Sequence, residues 1–194
     1  MASARNLINH QRRLSSGIFD RNIDFGTQLK NKRLGILGLG RNGRQIAHFA
    51  KAFGMEVFYY DPFIKAKNYE RFETLSQFFA YAHFVTICVK SDSTTFEIVD
   101  SKALEYAKNL VLINTSRGEV VKEPDILSAL RSGNLATYAT DVITDEHNFK
   151  DSMIYKESES NDQILITPHI GGATLDAWEI TEKYLAELIE TNEN

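Results

Sequence analysis

The chain is organised around one segment, Arg33-Leu34-Gly35-Ile36-Leu37-Gly38-Leu39-Gly40-Arg41-Asn42-Gly43-Arg44. Its first half is a short apolar run that suits a buried parallel strand. Its second half fits Gly-x-Gly-x-x-Gly, in which Gly38 makes the turn, Gly40 lets the backbone approach a pyrophosphate, and Gly43 lets a helix pack closely on the strand. The start of that helix offers N–H groups and a positive dipole end to a diphosphate. The segment predicts a dinucleotide-binding turn, although glycine-rich turns also end ordinary strands.

The second predicted strand supports this interpretation. A helix over residues 42–53 is followed by Gly54, a candidate C-cap, and by the strand Glu56–Tyr60, which ends at Asp61. An acid here, about 20 residues beyond the glycines, is where a ribose 2′-hydroxyl is held. Because a carboxylate repels a 2′-phosphate, Asp61 favours NAD over NADP. The alternative is that Asp61 and the proline after it only form a turn.

Composition sets the class of protein and excludes several partners. The 194 residues allow one sizeable domain, with at most a second small lobe. The net charge of −4, with no long basic run, argues against nucleic acid as the main partner. Cys88 is the single cysteine, so an intrachain disulfide is excluded and a reducing compartment is expected. The sequence lacks a signal-peptide core and an apolar run of membrane-spanning length, so we expect a cytoplasmic protein without a membrane partner or a metal site.

Strands and helices alternate along most of the chain. Further strands are predicted at residues 84–89, 110–113, 136–140 and 164–166, and further helices at residues 75–81, 101–106, 124–131 and 174–190. The polar residues 145–162 are predicted to form a loop. This alternation predicts an α/β fold with a doubly wound, mostly parallel sheet and helices on both faces.

The residues before the first strand do not belong to this alternation. Residues 3–16 form a predicted amphipathic, largely polar helix, and residues 20–32 form a polar connector. A helix in this position either crosses to another lobe or lies in a subunit interface. The alternative is that it only covers the edge of the sheet.

Candidate ligand-binding residues lie at the ends of the predicted strands. In doubly wound sheets, ligands bind outside the carboxyl ends of the strands. Six residues lie at or just after such an end, namely Gly38, Asp61, Cys88, Arg117, Asp141 and His169. We therefore expect one site along this edge of the sheet.

Five motifs occur in one order along the chain: Gly38-Leu39-Gly40-Arg41-Asn42-Gly43, Tyr60-Asp61-Pro62, Asn114-Thr115-Ser116-Arg117-Gly118, Thr140-Asp141-Val142 and Thr167-Pro168-His169-Ile170-Gly171-Gly172. Over residues 17–177, their order and spacing resemble those of the D-isomer-specific 2-hydroxyacid dehydrogenases, the phosphoglycerate dehydrogenase-like family. The resemblance implies that residues 1–194 are a Rossmann-type NAD-binding domain. It also implies a 2-hydroxy or 2-keto acid substrate and a homodimer.

The resemblance implies a catalytic role for Arg117, Glu146 and His169. The planar, permanently charged fork of Arg117 suits the carboxylate of a 2-hydroxy or 2-keto acid. His169 would accept the hydroxyl proton during oxidation and return it during reduction, while hydride moves to or from the nicotinamide. Glu146, if it contacts the imidazole, would stabilise its protonated form. The alternative for Glu146 is a solvated surface position.

Cofactor contacts are implied for a larger set of residues. Asp141 matches the family position that contacts the nicotinamide carboxamide. The other implied cofactor residues are Gly38, Gly40, Arg41, Asn42, Gly43, Asp61, Cys88, Val89, Thr115 and Gly171. For Cys88, the simplest alternative is a small buried apolar side chain in a strand.

Departures from the family pattern affect the loops and the second lobe. His147 follows Glu146 where proline is usual, Cys88 stands where many members have histidine, and Lys90 stands where proline is common. Family members also have a substrate-binding lobe that has no counterpart here. We expect the helices within residues 1–20 and 174–194 to resemble connections to that missing lobe, and the chain to be a cofactor-binding fragment with little turnover alone. The alternative function is an NADH-sensing, corepressor-like dimer of the same fold.

Overall fold

The computed structural model describes residues 1–22 and 25–192 of the chain. Its strands are β1 (Arg33–Leu37), β2 (Glu56–Tyr60), β3 (Glu70–Arg71), β4 (Phe84–Ile87), β5 (Leu110–Asn114), β6 (Leu135–Thr140) and β7 (Ile164–Ile166). Its α-helices are α1 (Leu7–Ser15), α2 (Arg41–Ala52), α3 (Leu75–Tyr81), α4 (Ser101–Leu104), α5 (Glu123–Ser132), α6 (Met153–Ser158) and α7 (Leu175–Asn192). Three short 3₁₀ helices span Ser3–Arg5, Gly118–Val120 and Glu146–Asp151.

Within the described residues, the strands form one seven-stranded sheet in the order β3-β2-β1-β4-β5-β6-β7. Each neighbouring pair is parallel. The order reverses between β1 and β4, which places a topological switch point directly after β1, where the glycine turn lies. The predicted doubly wound parallel sheet is confirmed.

The core lies on both faces of the sheet. Side chains along a strand alternate between faces, so Phe58 packs in one cluster while Val57 and Tyr59 pack in the other. The first cluster also contains apolar residues of α3, α4 and α5, and the second contains Ala47 and Ala50 of α2. Helices therefore cover both faces, as the alternation of strands and helices predicts.

Three local predictions were wrong. Residues 3–16 are not one helix, because Asn6 has a left-handed backbone (φ 48°) that separates Ser3–Arg5 from α1. The predicted loop 145–162 contains the 3₁₀ helix Glu146–Asp151 and α6. The two-residue strand β3 was not predicted, since two polar residues give no periodic signal. Residues 23 and 24 of the predicted connector and residues 193 and 194 of the closing helix lie outside the described residues.

The first and last α-helices expose apolar side chains. Every residue of α1 is exposed or half-buried, and its Arg12 forms an ion pair of 2.9 Å with Asp162 beside β7. Leu14 of α1 and Trp178 and Leu185 of α7 are all more than a third exposed. No helix in the described part of the chain is long and apolar enough to span a membrane.

Candidate cofactor and acid–base site

The glycine turn after β1 is closely packed. Gly38 has a positive φ of 92°, and a Cβ there would lie 2.9 Å from Cγ1 of Val89 and 3.0 Å from the carbonyl of Cys88. A Cβ at Gly43 would lie 2.3 Å from the carbonyl oxygen of Gly38. Gly38 is therefore needed for the turn and Gly43 for the packing of α2, as the motif predicts.

Gly40 has a different environment that fits a diphosphate. A Cβ at Gly40 would have none of the described residues within 4 Å, so open space lies in front of the start of α2. Among the described residues, no side chain caps this helix, and its first turn lacks an acid. The N–H groups of that turn have no partner within the helix, and Arg41 is exposed beside them. The predicted positions Gly40, Arg41, Asn42 and Gly43 thus form a start of a helix suited to an anion.

Asp61 lies directly after β2 and binds the glycine turn. Its Oδ2 accepts a hydrogen bond from the Leu39 N–H at 2.9 Å, and its Oδ1 accepts from the N–H groups of Phe63 and Ile64 at 2.9 and 3.0 Å. Asp61 therefore does form the turn that was the alternative interpretation. A carboxylate has about four lone-pair sites, so one site on Oδ2 remains for a ribose hydroxyl.

The ends of β4 and β5 are joined by side-chain hydrogen bonds. The Ser116 hydroxyl donates to the carbonyl oxygen of Val89. The buried side chain of Asn114 accepts from the Ser116 N–H at 3.0 Å and donates to the carbonyl oxygen of Arg117 at 2.9 Å. These bonds shape a turn on which the guanidinium of Arg117 is exposed. Ser116 was not predicted as a site residue, because a serine in a turn has no distinctive spacing.

Cys88 and Thr115 differ in exposure. Burial raises the pKa of the Cys88 thiol, and a contact with Thr86 offsets this in part. Its Sγ lies 3.8 Å from the Thr86 hydroxyl, and the Cys88 backbone packs against Gly38. This agrees with a small, half-buried side chain whose backbone supports the glycine turn. Thr115 is exposed at the end of β5.

Glu146 and His169 are in direct contact. Oε2 of Glu146 lies 2.9 Å from Nδ1 of His169, although the two residues are far apart in the chain. The side chains are 42% and 47% exposed, respectively. His169 has a left-handed backbone (φ 53°). With Nδ1 engaged by Glu146, Nε2 is the ring atom available for proton transfer.

Asp141 holds the loop on which His169 lies. Its Oδ1 accepts from the Thr167 hydroxyl at 2.5 Å and from the Ile170 N–H at 3.0 Å, and its Oδ2 accepts from the Gly171 N–H at 2.8 Å. Burial raises the pKa of Asp141, but these hydrogen bonds and the nearby His169 outweigh it and keep the pKa below its usual value. A Cβ at Gly171 would lie 3.0 Å from Oδ2, so this glycine lets the backbone approach the carboxylate.

A cavity of about 560 Å³ adjoins Glu146 and His169. Asp141, Glu146 and His169 contribute to its lining, together with the largely apolar residues Ile8, Ile143, Phe149, Tyr155, Ile164 and Ile166. Arg117 and the glycine turn lie outside it. The structure therefore brings the predicted residues together in two groups, with the glycine turn, Cys88, Val89 and Asp61 in one and Asp141, Glu146, His169 and Gly171 in the other.

The fold and the glycine turn together define a Rossmann-type dinucleotide-binding domain, with Glu146 and His169 in contact beyond the strand ends. The chain belongs to the family of the D-isomer specific 2-hydroxyacid dehydrogenase, NAD binding domain, whose profile matches residues 1–171.

The chain is similar to several 2-hydroxyacid dehydrogenases and reductases. The chain is 31% identical to D-3-phosphoglycerate dehydrogenase of Methanocaldococcus jannaschii, covering 98% of the chain and 36% of that protein. It is 34% identical to glyoxylate reductase of Thermococcus litoralis, covering 87% of the chain and 50% of that protein. D-lactate dehydrogenase of Aquifex aeolicus, solved with NAD and lactic acid, shares the fold with a TM-score of 0.87 at 23% identity, over 97% of this chain and 62% of that one. The chain spans about a third to a half of the length of these curated relatives.

Proposed function

We propose that the chain is the NAD-binding part of a dehydrogenase that transfers a hydride between NAD(H) and a 2-hydroxy or 2-keto acid. The observation that supports this most directly is the contact of 2.9 Å between Glu146 and His169 at the carboxyl ends of the strands. The relatives named phosphoglycerate dehydrogenase and glyoxylate reductase act on acids of this class. Oxidation or reduction of such an acid needs a group that binds the carboxylate and a group that exchanges a proton. Arg117 and His169, at one edge of the dinucleotide-binding sheet, can supply these two groups.

The residues of this chain divide the reaction between them. The glycine turn and Asp61 would hold NAD(H), whose nicotinamide would supply the hydride acceptor for oxidation and the hydride donor for reduction. Nε2 of His169 accepts the hydroxyl proton as the alcohol becomes a ketone, and it gives the proton back in the reverse direction. The carboxylate of Glu146 stabilises the imidazolium that forms. The exposed guanidinium of Arg117 binds the substrate carboxylate and fixes the orientation of the reacting carbon.

Binding of the cofactor is tested by titrating the chain with NADH and, separately, with NADPH, following nicotinamide fluorescence. We expect saturable binding of NADH. Because the Asp61 carboxylate repels a 2′-phosphate, NADPH should bind at least about tenfold more weakly, which corresponds to about 1.4 kcal/mol of binding free energy. Asp61→Asn should reduce this difference. Failure of a natively folded chain to bind either nucleotide, with folding checked by far-UV circular dichroism, would contradict the proposal.

We also propose an oligomeric state and a cellular location. A homodimer is supported by the exposed apolar side chains of α1 and α7, such as Leu14, Trp178 and Leu185. A cytoplasmic location is supported by the single cysteine, which excludes an intrachain disulfide. The first is checked by light scattering after size exclusion with and without NADH, and the second by a fluorescent fusion in cells. A dimer that formed only with NADH would favour the sensing function over the enzyme, whereas the named relatives favour the enzyme.

A further inference from the structure

We propose that Glu123, at the first position of α5, is a positioning residue for Glu146. Its carboxylate fixes the end of the segment that contains Glu146, and it thereby maintains the contact between Glu146 and His169. This inference rests on the proposed acid–base function of that pair. The sequence did not single out Glu123, because the predicted helix begins one residue later, at residue 124.

The segment that contains Glu146 is exposed, and it is anchored on the side of α6, where the rings of Phe149 and Tyr155 lie 4.9 Å apart and Lys156 donates to the Asp151 carbonyl oxygen at 3.2 Å. Each residue of the 3₁₀ helix Glu146–Asp151 is exposed, and Asn148 within it departs from helical geometry (φ −110°, ψ 36°). A short 3₁₀ helix also has poorer hydrogen bonds than an α-helix. The position of Glu146 therefore depends on what holds the two ends of this segment.

Glu123 holds the later end. Its carboxylate accepts from the Ser152 hydroxyl at 3.0 Å and from the Met153 N–H at 2.9 Å, and the Ser152 oxygen in turn accepts from the Tyr155 N–H at 3.2 Å. Ser152 is buried and follows the 3₁₀ helix directly, and Ile154 beside it is part of the core. A charged acceptor strengthens such bonds. Glu123 and Ser152 therefore fix the point where the exposed segment rejoins the core.

The earlier end is held by the same stretch of chain. A Cβ at Gly118 would lie 2.1 Å from the carbonyl carbon of Ile143 and 2.2 Å from the nitrogen of Thr144, so two backbones are in contact just before Glu146. Gly118 follows Arg117, and Glu123 lies five residues beyond Gly118. Residues 118–123 thus contact both sides of the Glu146 segment. Residues 118–123 directly follow Arg117 and also hold the Glu146 segment. They therefore fix the position of Arg117 relative to that of Glu146.

The test compares Glu123→Ala and Glu123→Gln with Glu146→Gln and with a matched control, Asp125→Asn. Asp125 lies in the same first turn of α5, but it accepts from the Ser101 N–H at 2.8 Å and so binds α4 instead of α6. The readout is the pair of ring nitrogen resonances of His169 in ¹H–¹⁵N spectra of the full chain, assigned with His169→Asn. These resonances report which ring nitrogen holds the proton, and a general loss of stability does not move them.

We expect Glu123→Ala to move the His169 resonances at least half of the way to their positions in Glu146→Gln. Glu123→Gln keeps an oxygen for the Met153 N–H and should move them less, and Asp125→Asn should leave them unchanged. Resonances that move in Glu146→Gln but stay fixed in both Glu123 variants would overturn the positioning role while leaving the acid–base pair intact. Resonances unmoved even in Glu146→Gln would overturn the proposed function itself. If Glu123→Ala does not fold, Glu123→Gln alone decides between these outcomes.

Discussion

At the scale of single residues, Asp141 supports the loop that contains His169. It accepts three hydrogen bonds from the loop Thr167–Gly171, and it is buried. In Asp141→Asn, an amide NH₂ would oppose a backbone N–H of that loop. We expect this variant to lose about 1–3 kcal/mol of unfolding free energy, the cost of an unsatisfied buried donor. Urea unfolding measures this loss.

A control is available in Asp162→Asn, because the one side-chain contact of Asp162 within residues 1–22 and 25–192 is an exposed ion pair with Arg12. That substitution should change the unfolding free energy by less than about 0.5 kcal/mol. Equal losses of unfolding free energy in the two variants would show that the hydrogen bonds of Asp141 contribute no more to stability than an exposed ion pair does. The His169 loop would then need another support.

The lowered pKa of Asp141 also fixes the direction of a pH effect. An ordinary aspartate has a pKa of about 3.9 in the unfolded chain. Since the folded value is lower, the stability contributed by Asp141 is complete above that pKa and is lost as the pH falls through the folded value. The difference in unfolding free energy between wild type and Asp141→Asn should therefore be constant near neutral pH and shrink only under strongly acidic conditions.

The sequence predicted candidate residues at the strand ends, but it did not predict how Asp141 is bound. Because parallel strands bring their carboxyl ends to one edge, residues after strands as distant as β1 and β7 were expected to meet there. Thr167 and Gly171, which both donate to Asp141, flank His169, whose backbone is left-handed. A non-glycine residue in that conformation has no sequence signal, so the structural role of Asp141 could not be inferred in advance.

At the scale of elements, the turn after β5 and the loop after β6 are in backbone contact at Gly118. A Cβ at this position would overlap the backbone of Ile143 and Thr144, and neither side can yield as a flexible side chain would. Gly118→Ala should therefore cost about 1–3 kcal/mol of unfolding free energy or more. Gly172→Ala is the control, because its Cβ would have none of the described residues within 4 Å. Equal thermal midpoints for the two variants would contradict the close packing at Gly118.

The elements that the sequence failed to predict share a physical cause. α6 has six residues and one fully buried side chain, Ile154, so it has no apolar period to detect. Its start is fixed by Ser152 and by Glu123, which lies 29 residues earlier in the chain. Elements with several buried apolar side chains, such as β2 and α3, were predicted at their observed bounds because those side chains give a detectable pattern.

At the scale of the whole molecule, the site is open on the side of its acid–base pair. Glu146 and His169 are almost half exposed and Arg117 is exposed, so water reaches every proposed catalytic group. Dehydrogenation requires a site that excludes water and holds the substrate against the nicotinamide. The exposed position of the proposed catalytic groups leaves cofactor binding possible. It does not exclude water from them, and fast turnover requires that exclusion.

We therefore expect this 194-residue chain to bind NADH but to reduce a 2-keto acid such as glyoxylate far more slowly than an ordinary enzyme, whose median turnover is about 10 per second. The measurement is the steady-state loss of NADH absorbance at saturating NADH, with His169→Asn as the control for background reaction. His169 would be the source of any residual rate, because its Nε2 remains available for proton transfer even in an open site. A rate near that of an ordinary enzyme would mean that closure over this pair is unnecessary, and that Arg117 alone orients the substrate well enough for hydride transfer.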